Sequence, residues 1–77
     1  TPLEGPVAVQ ILLECTPPKK KTREYPCRGD VDNYSKGVLD ALNGIAWVDD
    51  VQVIDLDVKK RYADTGAIHV HYDAVSI

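Results

Sequence analysis

Hydrophobic and polar residues alternate along residues 7–15, and this alternation predicts a β-strand with one buried face. The residues expected to point inward are Val7, Val9, Ile11, Leu13 and Cys15. Pro17 and Pro18 follow directly and are expected to end the strand, because proline lacks a backbone N–H and its ring fixes φ.

A helical pattern replaces the alternation between residues 29 and 50. At about 3.6 residues per turn, one stripe of the predicted helix collects Val31, Tyr34, Val38, Ala41, Leu42 and Ile45. Asp30 or Asp32 suits the N-cap, since a carboxylate oxygen accepts hydrogen bonds from the free amides of the first turn. Asn43 and Gly44 supply the stop, because either can adopt the left-handed conformation that ends a helix.

Two more strands are predicted in the second half of the chain. Over residues 51–62, one face carries Ile54, Leu56 and Val58 and the opposite face carries Asp55, Asp57 and Lys59. Over residues 67–75, the inward positions are Ile68, Val70, Tyr72 and Ala74. Residues 63–66 between the two strands, Ala-Asp-Thr-Gly, predict a hairpin turn.

Composition limits the class of protein. A chain of 77 residues that is 44% apolar forms one small domain, and a domain of this size buries only about 60% of its unfolded surface, so dimerisation would stabilise it. The sequence contains no methionine, which leads us to expect a missing N-terminal portion. No membrane-length apolar run or signal peptide is present, so we expect a soluble intracellular protein. Cys15 is expected in the core and Cys27 in a loop, without a disulfide or zinc site.

Carboxylates gather at both ends of the predicted helix. Asp30 and Asp32 stand at its entry, and Asp49 and Asp50 follow the turn after its end, so the two acidic ends can meet. Converging carboxylates repel each other unless a positive charge lies between them, and hard oxygen ligands suit magnesium or manganese. The alternative is an ordinary solvated helix face, on which Lys36 pairs with the acids one turn away.

Basic residues precede the first acidic pair. The cations of this segment are Lys19, Lys20, Lys21, Arg23 and Arg28. A charged run of this kind is usually a solvated loop, but its position would place phosphate-binding cations beside metal-binding carboxylates. His69 and His71 share one face of the third strand, which could hold a soft metal, although such a pair is more commonly a solvated strand face.

Three motifs together resemble the RusA family of Holliday junction resolvases. They are Arg-Gly-Asp-Val-Asp-Asn-Tyr-Ser-Lys from residue 28, Leu-Asp-Ala-Leu from residue 39 and Trp-Val-Asp-Asp-Val-Gln-Val from residue 47. The resemblance covers roughly residues 7–72 and implies a single α/β domain, in which a small mixed β-sheet packs with a helix. Such proteins normally carry a further N-terminal strand and helix, so this chain is expected to be an N-terminally truncated core.

The resemblance also implies a function and a site. The family consists of magnesium-dependent endonucleases that act as homodimers on four-way DNA junctions, in the cytoplasm of bacteria or encoded by phages. Asp30, Asp32 and Asp50 then correspond to the metal ligands, with manganese as a possible substitute ion, and Lys36 to the essential basic residue. Asp49 would point elsewhere. The family often has an arginine before the first aspartate, where this chain has Gly29.

The proposed chemistry follows from these residue types. A bound divalent ion activates water for in-line attack on a phosphodiester, and an ammonium group can stabilise the charged phosphoryl group. The basic residues of segment 19–28, together with Lys59, Lys60 and Arg61, would hold backbone phosphates. A net charge of −3 makes long-range attraction to DNA weak. The alternatives are a catalytically silent junction-binding or scaffold module and a general nuclease acting on flaps or single strands.

Overall fold

The structure, a computed structural model, describes residues 1–17 and 31–76. Three strands, one α-helix and one 3-10 helix are present in these ranges. In chain order they are β1 (Val7–Cys15), α1 (Val31–Leu42), the 3-10 helix (Asp50–Gln52), β2 (Val53–Tyr62) and β3 (Ala67–Ala74). The predicted first strand is confirmed at both ends. The second strand starts later than predicted, because the 3-10 helix occupies its first positions.

The three strands form one mixed sheet in the order β2-β1-β3. β1 lies in the centre, parallel to β2 and antiparallel to β3. The predicted α/β class is therefore confirmed, but the predicted hairpin between the second and third strands is wrong. Residues 63–66 instead carry the chain across the end of β1, where the Ala63 amide donates to the Cys15 carbonyl at 2.9 Å. Two strand spacings, about 10 Å in all, lie within the reach of this short segment.

The hydrophobic core lies against one face of β1. Val7, Val9, Ile11 and Leu13 are at most 3% exposed, which confirms the predicted inward face, and Cys15 is half-buried. Buried and half-buried side chains from outside β1 complete this core: Leu3, Val38, Leu39, Leu42, Ala46, Trp47, Val53 and Val58. The central strand is buried on the face that its alternating pattern indicates.

The helix α1 packs mainly against β2, but it presents a different face from the predicted stripe. Val38 and Leu42 pack against the core as expected, whereas Tyr34 is 37% exposed and Ala41 is also exposed. Ser35 is buried instead. Its hydroxyl donates a hydrogen bond to the Asp32 carbonyl at 3.0 Å, so the buried polar group has a partner.

The helix stops where the sequence predicts. It ends at Leu42, and Gly44 adopts a φ of +82°, the left-handed conformation that glycine accepts readily. Ile45 lies in the turn that follows the helix and is 70% exposed, so the prediction that it faces inward is wrong. The turn redirects the chain from the end of α1 towards Trp47.

The register of the outer strands explains which of their apolar residues face the core. Leu56 and Val58 pair with Val9 and Ile11 and so share the inner face, as predicted. The register shifts between Val7 and Ala8, so Val53 takes the inward position next to Val7. Ile54 is 58% exposed, and the prediction that it shares the inner face with Leu56 and Val58 is wrong.

The predicted inward residues of β3 pair with the buried face of β1, so their shared face is confirmed. Ile68 is nevertheless 56% exposed and Tyr72 41% exposed, because β3 is an edge strand and α1 lies over β2. Among the described residues, none of the helices has the length and hydrophobicity that crossing a bilayer demands.

Candidate active site

The turn that follows α1 is attached to the N-terminal segment by backbone hydrogen bonds. The Leu3 amide donates to the Ala46 carbonyl at 2.9 Å, and the Val48 amide donates to the Leu3 carbonyl at 3.2 Å. Trp47, between them, is fully buried and meets the ring of Tyr72 edge to face, with centroids 5.8 Å apart. The backbone on both sides of Trp47 and its indole ring are therefore held in place.

Asp50 is bound to this buried indole. The Trp47 Nε1–H donates to Asp50 Oδ1 at 2.8 Å, and Asp50 itself is half-buried at the start of the 3-10 helix. The hydrogen bond satisfies the one polar atom of the tryptophan side chain. It also fixes the carboxylate that the sequence predicts as the third metal ligand.

Asp49, the neighbouring acid, has a structural role. It is the N-cap of the 3-10 helix, and its Oδ1 accepts from the Val51 amide at 3.3 Å. The Asp49 amide in turn donates to Gln52 Oε1 at 2.7 Å, which completes a capping box. The Asp49 carboxylate is thus engaged in capping the 3-10 helix, and the assignment of Asp50 as the metal ligand stays a prediction.

Sequence reasoning missed the role of Gln52. Its side chain binds the turn over residues 49–52 to the N-terminal segment, residues 3–5. Its Nε2 donates to the carbonyls of Leu3 and Gly5, both at 2.8 Å. The signal was present, because aspartate followed three residues later by glutamine is the pattern of a capping box. The position of Asp50 therefore depends on Gln52, whose side-chain amide is already engaged in these hydrogen bonds.

We expect Gln52→Ala to destabilise the fold by about 2 kcal/mol, because three hydrogen bonds worth about 0.5–1.5 kcal/mol each are lost and part of that loss is recovered by water. For a domain of this size the melting temperature should fall by about 10 °C. Gln10→Ala, a truncation of an exposed glutamine on β1, is the matched control for thermal unfolding. Equal melting temperatures for the two variants would show that Gln52 does not hold the turn.

Asp32 and Lys36 lie on the exposed surface of α1, near its start. Their spacing of four residues is one helical turn, so the two side chains project from the same face. Asp32 lies in the first turn, where a negative charge interacts favourably with the helix dipole. Both side chains are therefore accessible to a ligand, and both also suit an ordinary helix surface.

Several predicted site residues lie outside the described residues. They are Lys19, Lys20, Lys21, Arg23, Arg28 and Asp30, and Cys27 lies there too. Within residues 1–17 and 31–76, no three His, Cys, Asp or Glu side chains are close enough together to hold a metal ion. The convergence of Asp30, Asp32 and Asp50 accordingly stays a prediction. The carboxylate donors themselves are the chemical type that magnesium and manganese prefer.

Comparison with known proteins identifies the family. The family model described as Endodeoxyribonuclease RusA matches residues 1–72, which include both acidic segments. The chain belongs to the RusA family. It is also similar to a Bacillus subtilis (strain 168) protein described as "Uncharacterized protein YqaN", with 38% identity over 89 aligned residues. The alignment covers 99% of this chain and 63% of that relative, so the chain spans less than two thirds of its length.

The face of the sheet opposite the core of this RusA-family chain carries a group of charged side chains. Arg61 and His69, on the two outer strands, both bind Glu14 of the central strand, and the Arg61 Nη2–Glu14 Oε2 distance is 3.0 Å. Lys59 pairs with Asp57 at 2.8 Å. An open groove of about 390 Å³ runs over this face. Because nearby carboxylates neutralise Lys59 and Arg61, this face offers little net positive charge to a DNA backbone.

The two histidines of β3 each bind a carboxylate. His69 Nε2 contacts Glu14 Oε1, and His71 Nε2 lies 3.3 Å from Asp73 Oδ2. All four side chains belong to the outer face, and the described part of the chain adds no third side chain that would complete a metal site there. The arrangement favours the solvated strand face over the soft-metal alternative.

The Glu14 cluster makes stability depend on pH. The hydrogen bond from His69, followed by that from Arg61, lowers the pKa of Glu14 below its ordinary value of 4.5. A lowered pKa in the folded state means that the carboxylate stabilises the fold above pH 4.5 and that this stabilisation is lost as the pH falls through the folded-state pKa.

We therefore expect Glu14→Gln to melt below the wild type at pH 7, and the difference to shrink steadily below about pH 4.5. Thermal unfolding followed between pH 3 and pH 7 measures this. Asp64→Asn, in the exposed turn before β3, serves as the control for a change of charge alone. A Glu14→Gln deficit that stays constant over the whole range would contradict the assigned ion pairs.

Proposed function

We propose that this RusA-family protein is a divalent-cation-dependent endonuclease that hydrolyses DNA phosphodiesters at four-way junctions. The observation that carries the proposal is the carboxylate of Asp50, which a buried indole holds within the stretch that the RusA family model matches. Asp32 and Lys36 supply an accessible carboxylate and an ammonium group one helical turn apart.

The carboxylates of Asp30, Asp32 and Asp50 would hold one or more magnesium ions, with manganese as a substitute. Bound magnesium supplies Lewis acidity and lowers the pKa of a coordinated water. In the reaction the water oxygen forms a bond to phosphorus, a bond from phosphorus to a sugar oxygen breaks, and that oxygen leaves as a hydroxyl. Lys36 stabilises the negative charge that builds up on the phosphoryl oxygens.

Four-way junctions need two symmetric cuts, and we propose that a twofold dimer of this chain provides them. The basic segment 19–28 would contact the phosphates of the branched DNA and thereby position it without reading much sequence. These contacts must act locally, because the chain as a whole carries a net charge of −3. Raised salt should accordingly weaken junction binding steeply.

The proposal is tested by cleavage of a synthetic four-way junction and of a linear duplex with the same sequence, each with magnesium and with EDTA. We expect cutting of the junction with magnesium only, and little cutting of the duplex. Binding of the junction without cutting under any metal condition would favour the silent module. Equal cutting of flaps, single strands and junctions would favour a general nuclease.

Metal binding can be tested separately from cutting. Magnesium or manganese should raise the melting temperature of the wild type, because a ligand that binds only the folded state stabilises it. Asp30→Asn should abolish that rise. Equal stabilisation of the two proteins by either ion would remove Asp30 from the ligand set.

A further inference from the structure

We infer that Trp47 is a positioning residue for the metal site, whose indole N–H orients the Asp50 carboxylate so that its other oxygen faces the cation. The inference rests on the proposed function, because it assigns a role towards the same ion. It starts from the 2.8 Å hydrogen bond between Trp47 Nε1 and Asp50 Oδ1. A carboxylate has two oxygens, and this bond uses only one of them.

The identity of the acceptor distinguishes this role from simple core packing. A buried indole N–H needs an acceptor, and a neutral carbonyl or hydroxyl group would satisfy it. Here the acceptor is a half-buried carboxylate, which loses part of its hydration. Among residues 1–17 and 31–76, Asp50 forms no ion pair that would compensate this loss. A divalent cation held by the second Asp50 oxygen would supply positive charge at this carboxylate.

The direction of the N–H bond is fixed by the packing around the indole. Trp47 is fully buried, its ring meets Tyr72 at an interplanar angle of 80°, and the backbone on either side is bonded to Leu3. The indole therefore cannot turn without disturbing the core. When a group that supports a metal-ligating side chain by such a hydrogen bond is removed, the metal affinity of the site falls by about 10–100-fold.

The same hydrogen bond makes Trp47 a reporter of the metal. The chain contains a single tryptophan, so its indole N–H gives a single resonance in a nitrogen-15 correlated NMR spectrum. Magnesium bound to Asp50 withdraws charge from the acceptor of that N–H, so the resonance should shift. The shift should saturate at the same magnesium concentration as the rise in melting temperature.

Two variants test the positioning role. Trp47→Phe removes the N–H, and incorporation of benzothienylalanine at position 47 replaces the N–H by sulfur while keeping the shape of the ring system. We expect each protein to fold and to need at least about 10-fold more magnesium for half-maximal thermal stabilisation and for half-maximal junction cleavage. Saturating magnesium should restore most of the maximal cleavage rate. A purely structural role would lower the melting temperature without moving the half-saturating concentration.

Control variants connect the resonance to Asp50. Asp50→Asn should abolish the magnesium-dependent shift of the indole resonance. Asp49→Asn should leave the shift in place, because an asparagine oxygen can still accept from the Val51 amide at the N-cap. A wild-type indole resonance that stays unchanged while magnesium raises the melting temperature would overturn the inference, even if both position-47 variants failed to fold.

The possible failures are distinguishable. If the wild type neither binds magnesium nor cuts a junction in its presence, the proposed function fails and the positioning role fails with it. If the wild type binds magnesium and cuts, but the benzothienylalanine protein has the wild-type half-saturating concentration, the proposed function stands and the positioning role alone is overturned.

Discussion

We expect Asp32→Asn and Lys36→Ala each to stop the proposed cleavage of a four-way junction, while binding of the junction survives. Asparagine keeps the size of the aspartate side chain but loses the negative charge that binds a hard cation. Loss of the Lys36 ammonium group removes one electrostatic partner of the reacting phosphoryl group, and we expect the rate to fall by about 10²–10³-fold. Both side chains are exposed on α1, so neither change should prevent folding.

The measurement compares single-turnover cleavage with equilibrium binding of the same labelled junction. Asp40→Asn is the matched control, because Asp40 is another exposed aspartate on α1, two turns beyond Asp32. It should cut at the wild-type rate. Undiminished cutting by Asp32→Asn or Lys36→Ala would remove the role assigned to that residue, and a loss of binding in parallel with cutting would make it a DNA contact instead.

Ile11→Ala should destabilise the protein by about 2–5 kcal/mol, because it leaves a cavity in the core. Ile11 is 2% exposed and belongs to the central strand, which is bonded on both sides and faces the core. A domain of this size has a total stability of about 4–12 kcal/mol, so this one truncation removes a large share of it.

Ile54→Ala makes the same chemical change at a site that is 58% exposed, and its effect should stay within about 0.5 kcal/mol. Urea unfolding of the two variants measures the difference directly. Similar losses at both positions would mean that the described core does not dominate the stability of the fold.

Secondary structure is predicted best where burial of one face alone accounts for the residue pattern. β1 alternates because one face is buried against Trp47 and the helix, and its bounds were predicted correctly. The rotation of α1 was predicted less well. Ser35 is polar in the sequence but buried in the fold, because its hydroxyl bonds to the helix backbone, and a count of apolar letters cannot include such a residue.

Strand order could not be read from the pattern of β2 and β3. A short polar turn between two strands usually joins neighbours, but here β1 lies between them. β1 has four residues that are at most 3% exposed, and the central place in the sheet buries these residues more completely than an edge would. The position of a strand in a sheet is a tertiary property, decided by which strand gains most from burial.

The acidic motifs identified the family and the candidate ligands, but not the hydrogen bonds that hold Asp50 in position. Trp47 was included in the motif, yet its hydrogen bond to Asp50 depends on a turn that Gln52 and the N-terminal segment hold. Contacts between residues 49 positions apart leave no trace in local periodicity. The predicted approach of Asp30 to Asp50 would be a contact of the same kind, and a crystal structure with a bound metal ion tests it directly.

A crystal structure of the protein grown with manganese, which anomalous scattering locates, tests the central claim most directly. We expect a manganese ion with carboxylate oxygens of Asp30, Asp32 and Asp50 within about 2.5 Å. The Trp47 hydrogen bond to Asp50 should persist. An ion bound elsewhere, or an Asp50 carboxylate turned away from Asp30 and Asp32, would contradict the account.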